Sequence, residues 1–203
     1  LKNEGIDIRY LNIGGGLGII YDKEAPQTAK NFAQKILPIL NKTKLKIIME
    51  PGRFICGNSG ILVTKVLYIK STPKKKFVIV DSGMNDLIRP SLYEAYHNIL
   101  PLRLNKAGGN LKEKVDIVGP ICESGDFFAK DRFMPSLREG EYLAIMSSGA
   151  YGFSMASNYN SRRRPMEVMV NKNKVTVIRN RETYEDLSRN EIIPSFLAGD
   201  INA

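Results

Sequence analysis

The chain has 203 residues, with 30 Lys and Arg against 21 Asp and Glu, so its net charge is +9; it holds one His and two Cys. That length suits one or two domains, and 43% hydrophobic with 25% charged residues is an ordinary globular mix that excludes wholesale disorder. Two Cys without a C-x-x-C pair and a single His exclude a zinc ribbon, a thioredoxin-like motif and a His-based metal cluster within one chain.

The opening stretch Leu1 to Arg9 mixes charge with apolar residues and has no apolar core, so it does not read as a secretion signal. Because the first residue is Leu rather than Met, the chain is expected not to start where its gene does. Ile6 to Ile13 predicts a strand, followed directly by Gly14-Gly15-Gly16-Leu17-Gly18. From Thr28 to Leu40, the residues Ala29, Phe32, Ala33, Ile36, Leu37 and Leu40 recur at helical spacing. Pro26 lies near the helix start, where proline is tolerated. Lys46 to Glu50 is a short apolar run suited to a buried parallel strand, and it ends in Pro51-Gly52-Arg53. This β-loop-α-β-loop order is the unit of a parallel α/β sheet or barrel.

From about Gly60 the texture becomes β-rich: Ile61–Lys70, Phe77–Asp81, Val115–Gly119, Tyr142–Met146, Glu167–Val170 and Val175–Arg179. Short strands with irregular loops predict an all-β domain, a barrel or sandwich, with a boundary near residues 55–62. Asn171 to Lys174 reads as a hairpin turn. Lys74-Lys75-Lys76, between Ser71-Thr72-Pro73 and a strand, reads as another, with a solvated charge run. A Ser-His-Asp triad would have to use His97, which ends Tyr93-Glu94-Ala95-Tyr96-His97; this stretch reads as helical and solvated, with His97 exposed and without function. No clear pattern follows Glu191.

No apolar run reaches the ~18–20 residues of a membrane span. Two scattered cysteines without a secretion signal read as reduced and cytoplasmic, with a single disulfide still open. The positive charge suggests nucleic acid, but the basic residues are dispersed apart from Lys74–Lys76 and Arg162–Arg164. No aromatic-basic interleaving of the RNA-recognition kind is present, so nucleic-acid binding stands only as an alternative.

Two glycine loops carry the chemistry. Gly14 to Gly16 follow a strand and lead toward a helix, where side-chain-free backbone N–H groups can approach an anion. The run fits neither the P-loop nor a clean dinucleotide fingerprint, so by itself it suits a tight turn as well as a phosphate site. Glu50-Pro51-Gly52-Arg53 ends the next strand. Two successive βα loops of this kind match the phosphate site of (β/α)8 barrels, built after strands 7 and 8. Glu50 beside a phosphate then needs a cationic partner, which a protonated pyridine nitrogen on the same ligand would supply.

Gly14-Gly15-Gly16-Leu17-Gly18, Glu50-Pro51-Gly52-Arg53, Asp81-Ser82-Gly83-Met84-Asn85-Asp86-Leu87-Ile88-Arg89-Pro90-Ser91-Leu92-Tyr93, Cys122-Glu123-Ser124-Gly125-Asp126 and Gly149-Ala150-Tyr151-Gly152 occur in this order. Together they resemble the diaminopimelate decarboxylase family, pyridoxal-phosphate enzymes related to ornithine and arginine decarboxylases. The resemblance covers nearly all of residues 6–190 and corresponds to that family's C-terminal portion. It implies residues 1–58 as the last βα units of a (β/α)8 TIM-type barrel, 59–190 as a C-terminal β domain and 191–203 as a tail. The implied reaction is decarboxylation of meso-diaminopimelate to L-lysine through an aldimine and a quinonoid, in a cytoplasmic homodimer with shared active sites.

Residue by residue, the resemblance implies that Gly14, Gly15, Gly16 and Gly52 hold the cofactor phosphate. Tyr151 adds its hydroxyl, unless it is simply a packed tyrosine. Glu50 faces the pyridine nitrogen and keeps it protonated, which makes the ring an electron sink. The far amino-acid head of the substrate needs a cation for its carboxylate and an anion for its ammonium. Arg89 and Arg53 are suited to grip a carboxylate bidentately, Arg53 touching phosphate, substrate or both, with a structural salt bridge as the other reading of Arg89. Tyr93 joins Arg89 if the stretch is helical, and Glu123 meets the distal ammonium. Cys122 is implied to reach the site from the other subunit, together with the neighbouring acid, and to donate or guard a proton; a buried free cysteine is the ordinary alternative. Cys56 reads as structural.

The family's cofactor-bearing lysine, in a Tyr-Ala-x-Lys-like strand motif, has no counterpart here. Phe127-Phe128-Ala129-Lys130 falls where the family is expected to have a solvent-side loop, so Lys130 is not that lysine. The histidine that stacks on the cofactor is also missing, as are the first six barrel units. The chain is therefore expected to be inactive alone and dependent on a missing N-terminal barrel half. The alternatives are a related pyridoxal-phosphate decarboxylase of another amino acid or carboxylated polyamine, and a non-catalytic pyridoxal-phosphate-binding protein. No metal and no membrane partner are expected.

Overall fold

The computed structural model describes residues 4–103 and 112–197. The chain divides into two compact units, Leu1–Met155 and Ala156–Ala203.

In the first unit, β1 (Tyr10–Asn12) and β2 (Lys46–Ile48) pair in parallel, with Tyr10 opposite Lys46 and Asn12 opposite Ile48. Between them runs α1 (Ala29–Leu40). Thr28 caps this helix, its Oγ1 accepting from the Asn31 N–H at 3.2 Å, which satisfies one of the donors that every helix N-terminus leaves open. The predicted β-loop-α-β unit is present. Its first strand is shorter than Ile6 to Ile13, because the ladder extends only as far as the three residues of β2. A short α2 (Gly52–Cys56) follows the second glycine loop.

The β-rich remainder forms β3 (Leu62–Ser71), β4 (Lys76–Val80), β5 (Ile99–Pro101), β6 (Lys112–Val118), β7 (Phe127–Pro135) and β8 (Tyr142–Ile145). They make one six-stranded sheet in the order β5-β8-β3-β4-β6-β7. The expected all-β barrel or sandwich is thus a single mixed sheet: β4 and β6 run parallel, and every other neighbouring pair is antiparallel. Strand β3 joins its two halves. Leu62 to Lys65 pair with β8, Val66 to Ser71 pair with β4, and the register shifts between Val66 and Tyr68. Such a bulge bends a long strand and lets it serve two partners.

Val66, Val78, Val80, Ile117, Phe128, Leu143 and Ile145 form the core of this sheet together with Leu87. Each fully buried aliphatic side chain contributes about 1.5–3 kcal/mol. Phe127 to Lys130, expected in a solvent-side loop, lies in β7 instead. Phe128 and Ala129 point into the core while the exposed Lys130 places Nζ 3.7 Å from the centroid of the Phe127 ring. The triple-lysine turn does connect two strands, but two of its three charges are paired rather than simply solvated. Lys75 donates to Asp116 and Lys76 to Glu113, each at 2.5 Å.

Helix α3 (Arg89–Tyr93) is only five residues long. Glu94 adopts a left-handed conformation (φ 51°), which ends the helix before Ala95. The chain then continues without regular structure into β5 and carries His97 to full burial. The expected solvated, helical His97 is corrected by this early stop.

The second unit contains a hairpin of β9 (Glu167–Asn171) and β10 (Lys174–Arg179), with Asn171 opposite Lys174 as the turn residues predict. Its α4 (Tyr184–Ser188) begins in a capping box between Thr183 and Asp186. Within the Arg162–Arg164 run, Arg164 pairs with Glu182 and Arg163 lies over the Tyr184 ring at 4.4 Å. The hydrogen bonds from Arg164 first, then from the Arg164 backbone and Asn158, hold the Glu182 carboxyl down to about 2.

Candidate active site

The two glycine loops meet. Gly14 and Gly16 both have φ of +68°, a conformation glycine adopts without penalty. The Glu50 N–H donates to the Gly14 carbonyl at 2.9 Å. A Cβ on Gly15 would lie 2.7 Å from the Glu50 carbonyl oxygen, so only glycine allows this approach. Asn12 clamps both loops from the end of β1: its Oδ1 accepts from the Gly14 N–H at 2.8 Å, and its Nδ2 donates to Glu50 Oε1 at 2.5 Å. The Glu50 carboxylate is therefore aimed by a named partner. The Gly52 N–H donates to the Glu50 carbonyl at 2.9 Å. Of the four N–H groups expected to face a phosphate, those of Gly14 and Gly52 are thus engaged within the chain. Those of Gly15 and Gly16 have no acceptor among the described residues.

Tyr151 stands at φ +60°, an uncommon backbone region for a bulky residue and one that concentrates at functional sites. Its neighbours explain how that strain is sustained. A Cβ on Gly149 would lie 2.0 Å from the Cys56 carbonyl oxygen, and one on Gly60 would lie 2.6 Å from the Gly149 Cα. The segment 147–149 is also bonded to the turn after α2: Asn58 Nδ2 donates to Ser147 Oγ at 2.8 Å, Ser148 N to Gly60 O at 2.8 Å and Gly149 N to Gly57 O at 3.1 Å. This close packing puts the Tyr151 ring 5.4 Å from the Arg53 guanidinium and 5.9 Å from that of Arg89. Sequence motifs far apart, 50–53, 89 and 149–152, thereby converge on one ring.

Arg89 is only 7% exposed. Its Nη1 donates to the Tyr21 hydroxyl at 2.8 Å and lies 3.1 Å from His97 Nε2. The guanidinium also lies 4.9 Å from the centre of the Tyr21 ring, a cation–π distance. No carboxylate pairs with Arg89 among the described residues, so the salt-bridge reading of this arginine finds no partner. Tyr93, four residues on in α3, is 60% exposed; the stretch is helical, yet of these two residues only Arg89 is buried.

Cys122 and Glu123 are exposed on the loop between β6 and β7. Buried Asp126 holds that loop, accepting from Ile121 N at 2.6 Å and Met84 N at 2.7 Å. A Cβ on Gly119 would come within 2.4 Å of its carboxylate oxygens. Ser91, two residues after Arg89 on α3, donates from Oγ to the Gly125 carbonyl. The Arg89 segment and the Cys122–Asp126 loop are therefore braced together. Cys56 and Cys122 are both free thiols, and Cys56 lies exposed in α2.

Four participants escaped the sequence reading: Asn12, Tyr21, His97 and Asp126. Asp126 lay inside a motif that was singled out. For Asn12 and Tyr21 the partners Glu50 and Arg89 are 38 and 68 residues away in sequence; His97 meets Arg89 only eight residues before it, but the left-handed turn at Glu94 that allows this contact breaks the helical pattern of the stretch.

Residues 19–149 match the family model described as the pyridoxal-dependent decarboxylase C-terminal sheet domain. The chain is 52% identical over 186 residues to diaminopimelate decarboxylase of Aquifex aeolicus, covering 91% of this chain and 44% of that protein. To the Vibrio cholerae enzyme it is 50% identical over 188 residues, covering 92% and 44%. A crystal structure of Helicobacter pylori diaminopimelate decarboxylase complexed with L-lysine superposes with a TM-score of 0.84 at 47% identity, covering 93% of this chain and 46% of that one. The chain thus spans less than half the length of these relatives. Its matched sheet domain makes it a member of the pyridoxal-dependent decarboxylase family.

Proposed function

We propose that the full-length protein containing this chain decarboxylates meso-diaminopimelate to L-lysine, with pyridoxal phosphate, as a homodimer with shared active sites. The observation that carries this reading is Arg89. A buried arginine ordinarily sits beside a carboxylate, because an unpaired buried charge is costly. Here the charge meets two neutral acceptors and two aromatic rings, which leaves it ready for an anionic ligand. The product bound in the Helicobacter pylori relative and the identity to diaminopimelate decarboxylases support the same substrate class. In this reading residues 4–58 close a (β/α)8 barrel, and the sheet domain supplies the wall beside it.

The residues fit the cofactor. A glycine cradle whose two loops lie so close that a Cβ at Gly15 would strike the Glu50 carbonyl, with the Gly15 and Gly16 N–H groups unengaged, suits a phosphate. Gly14 and Gly52 shape that cradle. Arg53 and the Tyr151 hydroxyl edge add positive charge and a donor beside it. Glu50, aimed by Asn12, suits the pyridine nitrogen and would keep it protonated. When bound, pyridoxal phosphate supplies an electron sink for the pair left behind as CO2 departs. Arg89, with Tyr93 near it, grips the distal carboxylate of the substrate. Glu123 meets the distal ammonium and Cys122 holds a proton for the reacting carbon, both offered to the partner subunit from the loop that Asp126 braces.

The test uses the full-length protein. CO2 release from meso-diaminopimelate and not from ornithine is the expected outcome. Arg89→Ala should raise KM at least about tenfold, since it removes charge-assisted bonds worth roughly 1.5–3 kcal/mol, while the cofactor absorbance is retained. An unchanged KM, or loss of the cofactor band, would remove Arg89 from the substrate site.

A further inference from the structure

Arg89 needs more than burial to act as a carboxylate clamp, because a guanidinium presents two different edges to a planar anion. Which edge is offered depends on where its other hydrogens go. Nη1 carries two. One is directed to the Tyr21 hydroxyl at 2.8 Å, and the other faces His97 Nε2 at 3.1 Å.

The second contact has a defined chemistry. His97 Nδ1 lies 2.8 Å from the Met146 carbonyl oxygen, which can only accept. Nδ1 must therefore carry the ring hydrogen, and Nε2 presents a lone pair to Arg89. Only the neutral Nδ1–H tautomer satisfies both bonds. Burial favours that neutral form first, and the Arg89 and Arg132 charges add to it against the Met146 bond. His97 is completely buried. Its own carbonyl accepts from Arg132 Nη1 at 3.0 Å, and the Tyr21 ring meets its imidazole edge-on at 5.4 Å.

Tyr21 is equally well held. The Glu24 carboxylate accepts from the Tyr21 N–H at 3.0 Å and the Asp22 N–H at 2.7 Å. Asp22 interacts electrostatically with Tyr96, which Arg132 also approaches at 4.1 Å from the ring centre. Both acceptors on Nη1 are thus fixed by their own partners, and both are neutral. They orient the guanidinium without cancelling its charge, as a carboxylate would.

We infer that Tyr21 and His97 are positioning residues for Arg89: together they occupy both hydrogens of Nη1 and leave the Nε–Nη2 edge to receive the substrate carboxylate side-on. This inference rests on the reading of Arg89 as the carboxylate-binding arginine. Tyr21 also ties the loop that follows the glycine cradle to the substrate end of the site.

A double-mutant cycle in the full-length, cofactor-loaded protein tests it. Tyr21→Phe, which keeps the ring and removes only the hydroxyl, should raise KM for meso-diaminopimelate about tenfold with kcat little changed. His97→Phe should do the same, and His97→Gln, which restores an acceptor, should recover most of the loss. In an Arg89→Ala background neither Tyr21→Phe nor His97→Phe should raise KM further, because both act through the missing group. The inference is overturned if Tyr21→Phe leaves KM unchanged while Arg89→Ala raises it, or if Tyr21→Phe raises KM by the same factor with and without Arg89. If Arg89→Ala itself leaves KM unchanged, the Arg89 reading fails and takes this one with it. Should His97→Phe lose its cofactor band through misfolding, the Tyr21→Phe pair of measurements decides alone.

Discussion

A single buried imidazole shows how strongly environment governs residue chemistry in this protein. His97 is held neutral chiefly by burial, and its pKa lies below the ordinary 6.5. The sign of the consequence follows from linkage. Below about pH 6.5 the unfolded chain takes up a proton at this position, whereas the folded chain does so only at a lower pH. Stability should therefore fall as the pH drops from about 6.5 toward the native value, and the folded state gains nothing from further alkalinity here. Thermal unfolding of the full-length protein between pH 7.5 and 5, set beside His97→Gln, measures it. The variant should show a shallower decline; equal slopes would mean that His97 is not the titrating group. Glu182 behaves in the opposite chemical sense, since its carboxyl is stabilised as the anion beside Arg164. The stability it contributes is present above about 4.5 and is lost progressively as the pH falls from there to about 2.

At the scale of elements, the site is made by turns that touch rather than by long strands. Three backbone contacts depend on missing side chains: Gly15 against Glu50, Gly60 against Gly149, and Gly149 against Cys56. The last two lock the turn after α2 to the segment that carries Tyr151. Gly149→Ala would drive a methyl into backbone atoms that cannot rotate away, at 2.0 Å from the Cys56 oxygen. Overpacking of this sort costs about 1–3 kcal/mol. Chemical denaturation should show a loss of that order, and the cofactor band should weaken as Tyr151 and Arg53 separate. An unchanged midpoint would show that the two turns yield more readily than their packing implies. The early end of α3 at Glu94 is a second element-level decision, because one more helical turn would take His97 away from Arg89.

On the scale of the whole molecule, the +9 charge is partly locked into local pairs such as Lys75–Asp116, Lys76–Glu113 and Arg164–Glu182. Within the first unit, Ile20, Leu37, Ile39, Met49, Phe54 and Ile55 are exposed. All belong to or adjoin the β1-α1-β2-α2 segment, which in the proposed reading the rest of the full-length protein covers. Clustered exposed apolar residues bind hydrophobic dyes and promote association. The 203 residues by themselves should bind an apolar dye strongly and release no CO2 from meso-diaminopimelate. Weak dye binding, or release at the rate of the full-length protein, would contradict the view that this segment is one part of a larger barrel.

Much of this architecture was legible from local patterns. The apolar spacing of α1, the glycine loops at strand ends, the two hairpin turns and the order of the five motifs all depend on neighbouring residues. Arg89, Glu50 and Tyr151 were singled out through the family resemblance that those motifs carry. Strand β7 was missed because the Phe127–Lys130 run follows a loop motif, and its strand identity comes from pairing with β6. Asn12 and Tyr21 were missed because Glu50 and Arg89 lie far along the chain, and His97 because its stretch leaves the helix at Glu94. The sequence alone determined which residue types are available and where the backbone can turn. Only the tertiary structure decided that His97 is buried and neutral, and that Arg89 keeps its charge between neutral acceptors. Burial and the identity of a hydrogen-bond partner are set by contacts across the fold, and no local pattern encodes them.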